Sequence, residues 1–215
     1  LGVHAIPVPG RSLMESYCID PVAIGYVHEQ KQQPEQAAAW YHRSIEQDPD
    51  DVRALHNLGH LAQQANRIEE ALELFKRATV TAPNHSPSWN SLGALLVPID
   101  PLQALACLQQ AVKIDHTYAG AWINLGQLLE DKGDLRKALD AYQRARLLQP
   151  KRYLATILEA RVQLKLQSPR NAGRLLQRVE SVSLEPGIQA LLEEVTNRWQ
   201  QALEEPSTDS DVPVV

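Results

Sequence analysis

The chain has 215 residues, 44% hydrophobic and 22% charged, with a formal net charge of −5. Those proportions are those of an ordinary globular protein with apolar material for a core, and no run approaches the roughly 20 apolar residues that a membrane span requires. A single Phe among 5% aromatics favours leucine- and alanine-rich helices over a sandwich or barrel, and two cysteines, Cys18 and Cys107, make no disulfide framework, so a reducing, cytoplasmic setting is expected.

The charge is segregated. Residues 1–134 carry 9 basic and 16 acidic side chains, residues 135–178 carry 11 and 2, and residues 179–215 carry 1 and 8, giving balances of −7, +9 and −7. A basic stretch flanked by acidic ones names a surface that could meet an acidic partner, and it could also be no more than a solvated face.

Residues 1–17 show no helical periodicity and lack the charged start and long apolar stretch of a signal peptide; they read as an irregular or non-native leader. The chain begins with Leu and its only Met is Met14, which leaves two readings open: a piece of a longer protein, or a native start at Met14. Asp20-Pro21 then opens a helix, with an acid at the cap and proline where a missing donor does no harm. Pro34 opens a second helix, Asp50 or Asp51 caps the next, Ser86-Pro87 another, and Gly133-Asp134 ends one helix and starts the following one.

These signals recur with a period. Ile24-Gly25, Leu58-Gly59, Leu92-Gly93 and Leu125-Gly126 are spaced by 34, 34 and 33 residues. The series Ala37, Ala71, Ala104, Ala138 follows in register. Each is followed a turn later by Tyr41, Phe75, Leu108 or Tyr142, then by Ser44, Ala78, Ala111 or Ala145, and the copies close at Pro49, Pro83, His116 and Pro150. Small residues at fixed points let two helices cross closely, while Leu55, Leu58, Leu61 and Phe75 supply the apolar faces at three- and four-residue spacing. Four copies are delimited, residues 18–51, 52–85, 86–118 and 119–152. The third is one residue short at Val97-Pro98-Ile99-Asp100-Pro101, where proline cannot continue the helix; a shortened helix and tight turn are expected, the alternative being a local change in superhelical pitch that shapes a partner site.

After Pro150 the pattern fades. Residues 153–185 read as a degenerate fifth unit of two helices, 153–167 and 169–182, the second capped by Ser168 with Ala172, Leu175, Leu176 and Val179 on one face. Pro186 opens a last helix, residues 186–204, whose stripe of Ile188, Leu191, Leu192, Val195 and Trp199 suits a terminal cap. Residues 205–215 are acidic and too polar to order.

The repeat resembles the tetratricopeptide repeat. The resemblance implies an all-α fold, a right-handed superhelical solenoid of stacked antiparallel helix pairs, that binds partner peptides in a concave groove lined by the first helix of each pair. Matched position by position, the implied partner-binding residues are Tyr26, Arg53, His56, Asn57, His60, Gln64, Asn90, Ile123, Asn124, Gln127, Glu130, Arg161 and Lys165. In similar chaperone-binding members two lysines, an arginine and two asparagines clamp a C-terminal carboxylate. Here Val22, Tyr26, Asn90 and Ala94 stand at clamp positions and only Asn57 matches an expected asparagine, so chaperone tails are disfavoured. Asn57 and Asn124 also resemble an asparagine ladder that holds peptide backbone, interrupted by Ser91.

The sequence contains no glycine-rich phosphate loop, Gly-x-Ser-x-Gly elbow, His-Glu-x-x-His pair or four-cysteine set, so no catalytic residue, cofactor or metal is assigned. His56 and His60, four apart on one helix, could chelate a metal from one face, but no third ligand is evident in the sequence; groove-facing histidines without metal are the alternative. Few aromatics accompany the basic stretch, which disfavours nucleic acid. The expected function is a non-catalytic protein-interaction scaffold or adaptor that takes a peptide or acidic segment; the alternative is a regulatory or substrate-docking region of a larger enzyme, such as a glycosyltransferase-like protein.

Overall fold

A computed structural model of the protein describes residues 20–179 and 182–204. The leader 1–17 and the tail 205–215 lie outside the described residues. Among the described residues there are eleven helices and no strand: α1 Pro21–Gln30, α2 Pro34–Gln47, α3 Val52–Gln64, α4 Ile68–Thr81, α5 Ser86–Leu96, α6 Pro101–Ile114, α7 Ala119–Asp131, α8 Leu135–Leu148, α9 Leu154–Lys165, α10 Pro169–Leu176 and α11 Pro186–Glu204.

Capping explains four of the starts. Side-chain oxygens of Asp20, Asp51, Asp100 and Asp134 accept from backbone N–H groups in the first turns of α1, α3, α6 and α8, satisfying donors that have no partner within the helix. Between the helices of a pair the chain reverses through a left-handed residue: Gln32, Asn66, Gly133 and Gln167 have φ of 57°, 58°, 79° and 54°. Proline locks φ near −65°, so Pro98 cannot make that reversal. Helix α5 instead ends at Leu96, and the N–H groups of Ile99 and Asp100 both donate to the Leu96 carbonyl.

Three boundaries differ from the sequence reading. Helix α5 includes Ser86, so its entry is shifted one residue earlier, where the His85 carbonyl accepts from Ser88 N–H. Ser168 precedes α10, but its hydroxyl donates back to the Leu166 carbonyl rather than capping. Helix α10 stops at Leu176, with short-range turns from Arg178 to Leu175 and from Val179 to Leu176, instead of continuing to residue 182.

The chain divides into two compact units, Leu1–Leu95 and Leu96–Val215. In the first, α1 packs on α2, α2 on α3 and α3 on α4; in the second, α6 on α7, α7 on α8, α8 on α9, and α11 on both α9 and α10. The crossings are tight for an identifiable reason. A Cβ added at Gly25, Gly59 or Gly126 would stand 2.5 to 2.6 Å from the ring of Tyr41, Phe75 or Tyr142 on the paired helix, closer than such atoms approach. Gly173 makes an equivalent approach to Trp199, at 2.8 Å.

The rings of Tyr41, Phe75 and Tyr142 are fully buried, as are Leu55, Leu108, Ile157 and Val195. Burial of side chains of this size stabilises by about 1.5 to 3 kcal/mol each. At the C-terminal end Ile157, Ala172, Leu175, Leu176, Val179, Leu192 and Val195 form one core, with Ile188, Leu191 and Trp199 packed against it. Indole N–H groups then pin segment boundaries: Trp89 Nε1 donates to the Pro83 carbonyl, Trp122 Nε1 to that of His116 and Trp199 Nε1 to that of Pro169, each at 2.9 Å.

Candidate functional site

In the first unit the first-helix residues gather around a depression of about 380 Å³ lined by Asp20, Val22, Ala23, Tyr26, Arg53, His56, Asn57, His85 and Pro87. Tyr26 is 55% exposed and stands at the rim, available to a ligand. Arg53 is already engaged. Its guanidinium donates to Asp20 at 2.7 and 3.3 Å and to Asp51 at 3.2 and 3.4 Å, joining the caps of α1 and α3. The Arg53 hydrogen bond is the main reason the Asp20 carboxyl is held below its usual range. Arg53 and Asp20 are 56% and 40% exposed, so the link between them stabilises by only ~0 to 1 kcal/mol.

Behind the depression lies a histidine cluster. The rings of His56 and His60 meet edge to face with centroids 4.5 Å apart, His85 is 5.3 Å from His56, and Phe75 lies 5.7 and 5.2 Å from His56 and His60. Nε2 of His56 is 3.2 Å from Nε2 of His60, and Ser91 Oγ stands 3.3 and 3.2 Å from the two. Burial, reinforced by the neighbouring His60 and His85, pushes His56 down to about 4. Burial likewise lowers His60 and His85. At neutral pH the cluster is uncharged. Gln64 is exposed one turn beyond His60, whereas Asn90 is buried.

In the second unit the expected residues divide. Ile123 is half-buried against Ala119, Ala145 and Ala155, Asn124 is half-buried, and Gln127 is exposed on α7. Glu130, Arg161 and Lys165 form a single ion cluster. Arg161 donates through Nε and a terminal nitrogen to the two Glu130 oxygens at 2.9 and 2.8 Å, Lys165 Nζ stands 2.8 Å from Glu130, and the Tyr142 hydroxyl donates to it at 2.8 Å. The Glu130 side chain is 1% exposed, so its charge is spent inside the protein. Burial alone would raise its pKa; the hydrogen bonds from Arg161, Lys165 and Tyr142 outweigh that and hold the carboxyl below the usual range.

The basic stretch is partly neutralised in the same way. Arg146 pairs with the buried Glu159 at 2.5 Å and Lys137 with Asp134 at 2.6 Å, while the Arg144 guanidinium lies over the Trp122 ring at 5.1 Å. Ser91, His85 and Tyr142 were not among the expected site residues, yet each contacts one that was. Among the described residues no group of three His, Cys, Asp or Glu converges as a metal set, and no helix is long and apolar enough to cross a membrane.

Successive helix pairs, three of them closed by a glycine against a buried ring, define a helical-hairpin repeat protein. Residues 29–96 and 119–152 match the tetratricopeptide repeat, and across them the chain carries repeats of that family. It is 28% identical over 111 residues to a tetratricopeptide repeat-containing protein of Caenorhabditis elegans, covering 51% of this chain and 14% of that one. It is 30% identical over 148 residues to a human protein O-mannosyl-transferase, covering 64% and 16%. Among solved structures, pilF of Pseudomonas aeruginosa shares the fold with a TM-score of 0.72 at 18% identity, over 86% of this chain and 84% of that one. The chain spans under a fifth of the length of the curated relatives it matches.

Proposed function

We propose that the protein is a non-catalytic scaffold or adaptor that captures a segment of another protein along the faces of its first helices. One observation carries the reading: Tyr26 from α1 and Arg53, His56 and Asn57 from α3 line a single depression together with His85 and Pro87. Its charge is compensated, since Arg53 is bound by two aspartates and the histidines are neutral, so it suits an apolar or aromatic anchor side chain better than an acidic one. Acidic residues of a partner would meet the α8–α10 stretch instead, through cations such as Arg136, Lys151 and Arg170. Residues 153–185 act as a fifth unit and α11 as the terminal cap, a role supported by the apolar stripe it lays over α9 and α10. A cytoplasmic setting suits the buried thiol of Cys107.

Selection of peptides from a display library against the purified chain tests this. Tyr26→Ala and Asn57→Ala should each weaken the best ligand about tenfold, the loss of one anchor contact of roughly 1.4 kcal/mol. Ligands indifferent to both substitutions would remove the groove from the proposal. A second reading, a docking region of a larger enzyme, is favoured by the likeness to the human O-mannosyl-transferase. Mass determination of the native polypeptide decides between them: a chain of this size with no further domain would exclude the enzyme.

A further inference from the structure

Three donor atoms on α3 and α5 converge on a spacing that hydrogen bonding does not fully use. His56 Nε2, His60 Nε2 and Ser91 Oγ form a triangle with edges of 3.2, 3.3 and 3.2 Å. An imidazole Nε2 presents either one proton or one lone pair in the ring plane. Ser91 can therefore be joined to each histidine by one well-formed hydrogen bond, donating to one ring and accepting from the other, and the nitrogen-to-nitrogen edge is then left without a proton of its own. With both imidazoles protonated at Nδ1 instead, a cation over the face of the triangle would meet a lone pair from each of the three atoms. Ligand atoms about 2.0 to 2.1 Å from a tetrahedral zinc ion lie about 3.3 to 3.4 Å from one another, close to the edge lengths here.

We propose that His56, His60 and Ser91 form a site for one borderline transition-metal dication of the zinc class, with the two imidazoles as strong ligands, the hydroxyl as a weak third and the remaining position open to water. The local fold supports it. Spacing of four on α3 places both rings on one helix face, the rings meet at an interplanar angle of 85° with their Nε2 atoms 3.2 Å apart, and Phe75 packs against both. Both imidazoles are neutral at neutral pH, so a metal ion need not displace protons taken from solution. Hard cations such as Mg²⁺ and Ca²⁺ prefer all-oxygen sets and are poorly served by two nitrogens. With a hydroxyl as its third donor, the site should bind more weakly than a closed four-ligand zinc site.

The test uses the tag-free chain, titrated calorimetrically with ZnCl₂ and followed by visible absorption with CoCl₂. One zinc per chain is expected, with Cu²⁺ tighter than Ni²⁺ and Ni²⁺ tighter than Co²⁺. His56→Ala and His60→Ala should each weaken zinc by roughly tenfold or more, Ser91→Ala by less, and His116→Ala not at all. Because the histidine variants alter a packed cluster, the unmodified chain is also treated with diethyl pyrocarbonate with and without ZnCl₂. Zinc should protect His56 and His60 while His42 and His116 react as before. No zinc binding, binding retained in the His56→Ala/His60→Ala variant, or protection confined to other histidines would each overturn the site.

Discussion

Two copies of the repeat carry the same tyrosine–glutamate pair and surround it differently. In the first copy the Tyr41 hydroxyl donates to Glu29 at 2.8 Å, and the residue 31 positions after that glutamate is His60. In the fourth copy Tyr142 donates to Glu130 at 2.8 Å, and the residue 31 positions on is Arg161. Burial follows the cation: Glu130 is closed in beneath Arg161 and Lys165, whereas Glu29 stays half-exposed with only a neutral imidazole in that direction. One backbone frame thus yields a buried ion cluster around Glu130 and a half-exposed pair at Glu29, the positions 31 and 35 residues on being Arg161 and Lys165 in one case and His60 and Gln64 in the other.

The comparison can be broken most severely at the glycine beneath the ion cluster. Gly126→Leu must displace the Tyr142 ring and with it a ligand of Glu130, and should destabilise by about 3 kcal/mol, read as a lowered urea midpoint. Next comes acid. A histidine held at about 4 is neutral in the folded state while the unfolded chain binds its proton near 6.5, so stability falls as pH is lowered from about 6.5 to about 4, by on the order of 3 kcal/mol from His56. His60, His85 and the nearby carboxylate of Glu29 share that field. Glu130 behaves in a different window. Its carboxyl is the stronger acid when folded, so its stability is complete above about 4.5 and is lost only as pH falls further. Hydrogen-exchange mass spectrometry should therefore show α3 loosening at higher pH than α9, and simultaneous loosening would contradict the contrast.

Glu130→Ala leaves two partly exposed cations and a buried hydroxyl without their acceptor, for a loss of about 2 to 3 kcal/mol in the same urea titration. Glu29→Ala removes one half-exposed hydrogen bond and should lose about 1 kcal/mol. Gln127→Ala, on the exposed face of α7, should change the midpoint by under about 0.5 kcal/mol.

The repeat register was legible because it is written in residue sizes: glycine and alanine recur where helices cross, and a ring or leucine recurs where the crossing must be filled. The site was legible only in part. His56 and His60 stand out by their spacing of four, and Glu130, Arg161 and Lys165 were each expected on first-helix faces. Their union was not read, because a pair joining adjacent copies depends on a distance that no single helix shows. That distance is 31 residues, and it links Glu29 to His60, His60 to Ser91 and Glu130 to Arg161. Ser91, taken only as the residue that breaks an asparagine ladder, was hidden for the same reason. The early end of α10 had no such signal, since Leu175, Leu176 and Val179 keep helical spacing through the turn that follows.

The indole N–H groups fastened to backbone carbonyls at segment boundaries have an optical consequence. Trp89, Trp122 and Trp199 each report on a different joint of the chain, because release of the N–H to water changes the dipolar surroundings of the excited ring. Chains that keep one of these tryptophans and carry Phe at the other two and at Trp40 would make three separately readable joints, so that the order in which the repeats come apart could be followed by colour alone.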